Sequence, residues 1–467
     1  MPQAPSPVSA SPGQIATDST PLPLGSKFPP AKRLQAPGLP VPGLPVPGLP
    51  VPGIEAPLLF RETTTSSAAP AAEKRDGLTL AEAIALAQRN HPRLQEASAI
   101  TQRATAAARV AHAYTNPSLE IYEGQQYARP VGVPGLPGLL QHYAGYQAIE
   151  IPPERHARQR AAQFSVASSR SAEQSVRLSV VGDTKRAFYN ALRRREEIDH
   201  AQENLQLVED LRRRVEVSVN VGEEGRLELT RAEAELGRAR FAVTSAQLEY
   251  ANAIALLRVT IAGAGDADLD PQGEFEARIA LPPLKQLRDH VLETHPVLAA
   301  SQANIQATLA TLDRERALRI PQPVAFAEFE NQPDLRFWRT GFNVPIPLWD
   351  RRQGQIGEAK AATSQASAVL YQRTLELVSA LERAYEQYQL ADQQATSLES
   401  GSLRAAVSAV DAAKAAYRFG ERGIVEVLDA QRVLQSVRGD LLDAQFARQS
   451  ALVDLEELGA IAPGVRP

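Results

Sequence analysis

The feature that most constrains the fold of this chain is an internal duplication. The segment LTLAEAIALAQRNHPRLQEA, from Leu78, has a counterpart in LPPLKQLRDHVLETHPVLAA, from Leu281. The His-Pro pair at His91 recurs 204 residues later at His295. The chain therefore builds one supersecondary unit twice. We predict a first repeat over residues 77–275 and a second over residues 276–462.

Long helices dominate each predicted repeat. Two runs without proline, at 154–220 and about 350–419, carry apolar and small residues at coiled-coil spacing. At 1.5 Å per residue, each run predicts a helix roughly 100 Å long. Shorter helices, each roughly 50 Å long, are predicted before and after these runs. They span about 80–114, 226–262, 284–318 and 424–458.

Each repeat also predicts two strands. The first strands are SLEIYEGQQYA, from Ser118, and PVAFAEFENQ, from Pro323. The second strands are GYQAIEIPP, from Gly145, and GFNVPIPLW, from Gly341, and both end in Ile-Pro, where proline stops a ladder. A long loop is predicted between the first two strands, over residues 128–143. In the last strand the alternating apolar positions are Phe342, Val344, Ile346 and Leu348.

A similar turn follows each long helix. VNVGEEGRLELTRAEAEL, from Val219, and YRFGERGIVEVLDAQRVL, from Tyr417, share glycine, glutamate, alanine and leucine at one fixed offset. Glycine after a helix end permits the left-handed backbone that reverses the chain. The shared glycines therefore predict two helical hairpins. They are Gly222, Gly225, Gly420 and Gly423.

Composition excludes several classes of protein. The formal net charge of −4 over 467 residues makes nucleic acid an unexpected partner. The sequence has no cysteine, which excludes disulfides and thiolate chemistry, and no apolar run long enough for a transmembrane helix. The first residues, MPQAPSPVSASPGQ, lack the basic and apolar regions of a readable secretory signal. Residues 1–76 are Pro-rich and repeat PGLPV, which predicts a disordered, extended spacer.

The sequence carries no readable motif for catalysis or metal binding. GxSxG, HExxH and P-loop patterns are absent, and the seven histidines never occur at metal-ligand spacing. We therefore expect no enzyme, no catalytic residue, no cofactor and no metal site.

Two strands per repeat leave backbone N–H and C=O groups at the strand edges without hydrogen-bond partners. Isolated two-stranded ribbons are only marginally stable, and open edges pair readily with other strands. The four strands of one chain therefore predict pairing with other copies in a cyclic homo-oligomer, with the strands closed into a barrel. The alternation suits an outer-membrane barrel and a soluble sheet packed on helices equally well.

From about residue 78 to 460 the chain resembles the TolC-type outer-membrane efflux proteins. The most specific residues lie between Tyr417 and Ala430, in the pattern Y-x-x-G-x-R-x-I-V-[DE]-V-L-D-A. The resemblance implies a mostly α fold with a small β part. Three protomers would form an α-helical barrel and a 12-stranded transmembrane β-barrel, with four strands from each protomer. It also implies a location in the outer membrane of a Gram-negative-type cell, across the periplasm.

The resemblance further implies partners and a gate. The partners are outer-membrane lipid, a periplasmic adaptor protein and an inner-membrane pump of the resistance-nodulation-division type. Tyr417 and Arg422 fall on the gate-holding residues of the family, and Glu228 falls on their acidic partner. Glu426 and Asp429 fall on acidic rings that line the constriction and favour cations. From the residues alone, such acids are more typical of a solvated helix N-terminus, and the family pattern is what favours the constriction.

The expected function is therefore the outer-membrane channel of a tripartite efflux system, and the heavy-metal cation branch is the more similar one. Two alternatives stay open at this point. One is a soluble coiled-coil structural or adaptor protein. The other is an exit duct for type I protein secretion.

Overall fold

The computed structural model describes residues 77–126, 138–223, 225–262, 269–333 and 335–462. The predicted disordered segment, residues 1–76, and residues 128–137 of the predicted long loop lie outside the described residues. The described residues are mostly helical with one small sheet, as predicted, and none of their helices is long and apolar enough to cross a membrane. The elements are α1 (Leu80–Asn90), α2 (Pro92–His112), β1 (Ser118–Gln126), β2 (Gly138–Ala148), α3 (Pro152–Val221), α4 (Arg226–Thr260), α5 (Leu284–Thr294), α6 (Pro296–Ala317), β3 (Val324–Asn331), β4 (Arg336–Asn343), α7 (Gln353–Ser397), a π-helical turn (Leu398–Ser402), α8 (Leu403–Arg418) and α9 (Ile424–Glu457).

The helices before the strands are each interrupted at a His-Pro pair. His91 separates α1 from α2 and His295 separates α5 from α6, both with extended backbone. Proline cannot continue the helical ladder and disfavours helical backbone in the preceding residue. Each histidine ring then caps the next helix, since its Nδ1 accepts the N–H of Arg93 at 3.2 Å or of Val297 at 3.3 Å. The prediction of continuous helices over 80–114 and 284–318 was wrong at these two points.

The two long helices differ in regularity. The first is confirmed as α3, which has 70 residues and is therefore about 105 Å long. The second consists of α7, the π-helical turn and α8 in unbroken helical backbone. Gly401, a weak helix former, lies within the π-helical turn. Such turns are single irregularities inserted in α-helices. The predicted second long helix is therefore present, with one interruption of its regular α-helical hydrogen bonding.

The four strands form one antiparallel sheet in the order β1-β2-β3-β4, and β2 and β3 join the two repeats. The register is fixed by residues such as Tyr146, which lies opposite Ser118 on one side and Phe326 on the other. Both second strands begin earlier than predicted. β2 begins at Gly138, inside the predicted loop, and β4 begins at Arg336.

The predicted strand from Gly341 was wrong beyond Asn343, where β4 ends. Pro345 and Pro347 cannot donate to a ladder. The N–H of Leu348 instead donates to the carbonyl of Ile346 at 2.9 Å. Most of the alternating apolar residues that predicted a strand, Val344, Ile346 and Leu348, therefore lie in the connection between β4 and α7.

The two faces of the sheet nevertheless differ in chemistry. Residues opposite one another in the register share a face, so both faces can be listed from the pairing. The apolar face carries polar residues such as Glu123, Gln141 and Arg336 at one end, and otherwise exposed large side chains: Leu119, Ile121, Leu139, Phe329, Trp338 and Phe342. The charged face carries Glu120, His142, Glu328, Glu330 and Arg339, together with the aromatic residues Tyr122, Tyr146, Phe326 and Phe337. Trp338 is 74% exposed while Glu328 is 7% exposed, which inverts the arrangement usual for a water-soluble sheet.

The α3 and α9 helices are joined at the core. Phe188 and Leu192 of α3 pack in one buried cluster with Val453 of α9. Beside them Lys185 Nζ lies 2.5 Å from Glu456 Oε2, and the two side chains are 7% and 9% exposed. Removal of either partner would leave an uncompensated buried charge, so this pair holds the two helices in one register.

The turn glycines allow a test of the hairpin geometry. Gly222 has a φ of 85°, where an alanine costs roughly 1–2 kcal/mol. Gly237, inside α4 of the same hairpin, has no atom within 4 Å of an added Cβ. Alanine there should stabilise the helix by roughly 0.5–1 kcal/mol. Thermal unfolding should therefore show a lower midpoint for Gly222→Ala and a higher midpoint for Gly237→Ala; shifts in the same direction would contradict the left-handed turn.

Candidate functional site

The candidate site lies at the turns of the two helical hairpins. Gly222 and Gly420 end α3 and α8 with left-handed backbone, at φ of 85° and 74°. At the first turn the N–H of Glu223 donates to Ser218 O at 2.9 Å, and at the second the N–H of Glu421 donates to Ala416 O at 3.0 Å. These bonds satisfy the last carbonyls of each helix in a Schellman motif. Gly225 and Gly423 then stand at the N-caps of α4 and α9.

A hydrophobic cluster holds the two hairpins together just above the turns. Its buried residues come from α3, α4 and α9, and Tyr417 of α8 is half-buried against them. They are Leu211, Val215, Ala232, Ile424, Val427 and Leu428. Tyr417 therefore belongs to the contact between the hairpins, where the resemblance had placed a gate residue.

The charged gate candidates pair within their own hairpins. Glu228 Oε1 accepts from Arg231 Nη1 at 2.9 Å, and Arg422 Nη1 lies 3.9 Å from Glu426 Oε1. In the described part of the protomer, no ion pair joins Arg422 to Glu228. The second oxygen of Glu228, Oε2, is buried without a hydrogen-bond partner among the described residues. Arg422 is 67% exposed, so its side chain can reach another partner.

The two constriction candidates share one exposed face of α9. Glu426 and Asp429 are three residues apart and therefore neighbours on the helix surface. Both are exposed, whereas Ile424, Val427 and Leu428 turn inward to the cluster. The helix thus presents carboxylates on the side away from its own protomer.

Polar links between the hairpins lie one to three turns higher, where sequence reasoning placed no site residue. Arg432 of α9 donates to Glu235 of α4 at 2.7 Å, and Arg438 donates to Glu203 of α3 at 2.8 Å. The hydrogen bond and charge of Glu235 raise the pKa of Arg432. The recurrence of polar residues every few positions was visible in the sequence, but their partners were not, because Glu235 and Arg432 are 197 residues apart.

The charged face of the sheet holds a second group that the sequence did not predict. His142 of β2 and Glu328 and Glu330 of β3 place ligand atoms within 4.8 Å of one another. The expectation of no metal site rested on histidine spacing along the chain. It did not consider the register, which sets His142 directly opposite Glu330.

The comparisons decide the family. A family model described as outer membrane efflux protein matches residues 83–263 and 287–459. The chain belongs to the outer membrane efflux protein family. It is therefore an outer-membrane channel that spans the periplasm and serves tripartite efflux. This membership resolves the choice between a channel and a soluble coiled-coil scaffold in favour of the channel.

Several members of the family resemble this outer membrane efflux protein over most of its length. The cobalt-zinc-cadmium resistance protein CzcC of Cupriavidus metallidurans is 24% identical, over 62% of this chain and 70% of its own. Protein CyaE of Bordetella pertussis is 26% identical, over 68% of this chain and 70% of its own. The crystal structure of CusC superposes with a TM-score of 0.69 at 19% identity, over 81% of this chain and 91% of that one.

The cluster above the turns can be tested with two valines of one helix. Val427 is fully buried and Val425 is 45% exposed. Val427→Ala should destabilise the junction of the hairpins by about 2 kcal/mol, since burial of a valine contributes that much. Hydrogen exchange of the amides in residues 207–235 and 410–430 should then rise about 30-fold. Val425→Ala is the matched control and should leave exchange nearly unchanged; equal effects would contradict the observed packing.

Proposed function

We propose that three copies of this outer membrane efflux protein form the exit duct of a tripartite efflux system. Substrate passes from an inner-membrane pump and a periplasmic adaptor into the helical tunnel. It then leaves through the interior of the β-barrel that the strands of the three copies form. The protein conducts passively and catalyses no reaction. The hairpin turns form the periplasmic gate.

The observation that carries this proposal is the inverted polarity of the sheet together with its free edges. Large apolar side chains such as Trp338 are exposed on one face, and the carboxylate of Glu328 is buried on the other. Lipid is the environment that favours exposed apolar side chains on a sheet. In the described chain, β1 and β4 are each paired along one side only, so three copies joined edge to edge satisfy every edge.

The duplication supports a trimeric tunnel in the same way. Each protomer supplies two similar hairpins, α3 with α4 and α8 with α9, so three protomers supply six. Large side chains such as Phe241 and Val259 of α4 are 74% and 70% exposed and face away from their own protomer. A neighbouring protomer would bury them, as expected for a homotrimer.

We assign the gate to two layers of contacts. Tyr417 and the links of Arg432 and Arg438 hold the α8–α9 hairpin against the α3–α4 hairpin of the same protomer. Arg422 is 67% exposed, and its ion pair among the described residues is a 3.9 Å contact to Glu426. The Glu228 side chain is 27% exposed, so Arg422 is available to Glu228 of a neighbouring protomer. An arginine-carboxylate link of this kind is strong and directional. Opening requires that both layers break.

The carboxylates below the gate favour cations. Threefold symmetry would place six acids, Glu426 and Asp429 from each protomer, around one narrow opening. We propose divalent metal cations as the substrate and a resistance-nodulation-division pump as the source. This substrate class is supported by the similarity to a relative named for cobalt, zinc and cadmium resistance.

The acidic constriction has a direct electrical test. Purified protein in a planar bilayer with asymmetric KCl should give small, discrete, cation-selective current steps. Glu426→Gln combined with Asp429→Asn should shift the reversal potential toward zero, because neutral side chains no longer favour cations. Asp440→Asn, an exposed acid farther along α9, is the control and should change the reversal potential little. Unchanged selectivity in the double variant would remove these residues from the constriction.

The gate has a separate test in the same bilayer. Tyr417→Phe with Arg422→Ser, and independently Glu235→Gln, should raise single-channel conductance, since each loosens the contact that holds the hairpins closed. Arg404→Ser, an exposed arginine higher on α8, is the matched control for loss of charge. If Glu235→Gln raises conductance and the first pair does not, the gate lies at Arg432 and the assignment of Arg422 is wrong.

A further inference from the structure

We propose that the charged face of the sheet contains a binding site for a divalent transition-metal cation, formed by His142, Glu328 and Glu330. The three side chains come from β2 and β3, one strand from each repeat. One imidazole nitrogen and two carboxylate oxygens form the donor set.

The three ligand groups converge in space. All three donor atoms lie within 4.8 Å of one another, close enough to share one ion after small rotations of the side chains. His142 lies opposite Glu330 in the register, and Glu328 follows two residues away on the same face. The backbone ladder therefore fixes the spacing of the three Cβ atoms.

His142 is the observation that points to a ligand. It is 7% exposed, and its Nδ1 is buried without a hydrogen-bond partner among the described residues. A buried polar nitrogen without a partner is costly, and a metal ion is one means of satisfying it. The ring stacks on Tyr122 with centroids 4.3 Å apart and planes 10° apart, which holds its orientation toward the glutamates.

The charges around the group leave room for a dication. Arg339 Nε lies 2.5 Å from Glu328 Oε1, and Gln332 Nε2 donates to Glu330 Oε1 at 2.6 Å. Two carboxylates and one guanidinium leave a net negative charge on this cluster. The Arg339 side chain is 63% exposed, so it can move aside when a cation binds Glu328. Arg339 is thus a built-in competitor that limits affinity.

The donor set indicates the class of cation. Imidazole suits zinc, copper, nickel and iron, and carboxylates complete such sites in many proteins. Three protein ligands leave coordination positions for water. The competing arginine lowers the affinity for the ion and so favours its release. The site is therefore suited to an ion in transit.

The metal site stands on the geometry of the sheet alone. Its placement on the exit path rests on the proposed function, in which the charged face lines the lumen. A cation released by the tunnel would then meet His142 and its two glutamates shortly before it leaves the protein.

The test is zinc binding to the full chain, purified in detergent and free of other metals, by isothermal titration calorimetry. The wild-type protein should bind one Zn²⁺ per protomer at this site. His142→Gln and Glu330→Gln should each weaken that binding by at least about tenfold, since loss of even an outer-shell partner of a metal site costs that much. Arg339→Gln should strengthen it, because the competitor is removed. Glu123→Gln, on the opposite face of the same sheet, is the matched control and should bind as the wild type does.

The opposite effects of Glu330→Gln and Arg339→Gln separate a specific site from general charge or misfolding, since a misfolded sheet would lose affinity in both. Absence of zinc binding in the wild type, or equal binding in wild type, His142→Gln and Glu330→Gln, would overturn the proposal. Bilayer conductance of the same samples separates the two inferences. Zinc binding without conductance would retain the site and reject the duct, whereas conductance without zinc binding would do the reverse.

Discussion

The constraint on which the rest of the structure depends is the pairing of backbone groups at the edges of one small sheet. Four strands are too few to close on themselves, and in the described residues β1 and β4 each leave one side unpaired. The exposed apolar face adds a second requirement, because water penalises side chains such as Trp338 on a sheet. Both requirements are met when copies of the chain pair edge to edge within lipid. The helices then inherit the symmetry of the strands to which they are joined.

The duplication gives two similar hairpins, but the packing makes them unequal. The α3 helix runs without a fault from Pro152 to the turn, and the buried pair of Lys185 with Glu456 fixes it to α9. The helix that leads to the second hairpin contains a π-helical turn, and such turns are typical of places where a helix can adjust. Near the turns, only side-chain links and one cluster join the two hairpins in the described residues. The fold thus anchors one end of the second hairpin firmly and leaves its other end to weaker contacts.

Local patterns in the sequence predicted the elements well because local physics determines them. Proline-free runs gave the long helices, and glycine spacing indicated the turns that Gly222 and Gly420 form. The errors arose where a single residue type overrides a pattern or where distant residues meet. His91 and His295 break helices that apolar periodicity alone would continue, and Pro345 ends a strand that alternation would extend. The link of Arg432 with Glu235 and the group around His142 depend on packing and register across nearly two hundred residues, which one sequence does not display.

The two proposed cation sites of the chain, the acidic face of α9 and the group on the sheet, differ in the kind of cation that they would distinguish. Carboxylates alone, as on the exposed face of α9, attract cations by charge and discriminate weakly among them. The group on the sheet adds an imidazole, which prefers transition metals over potassium or magnesium. It also includes Arg339, whose charge opposes tight binding to Glu328. A channel must bind its substrate firmly enough to admit it and weakly enough to release it. A selective metal site with a competing arginine meets both requirements near the end of the proposed exit path.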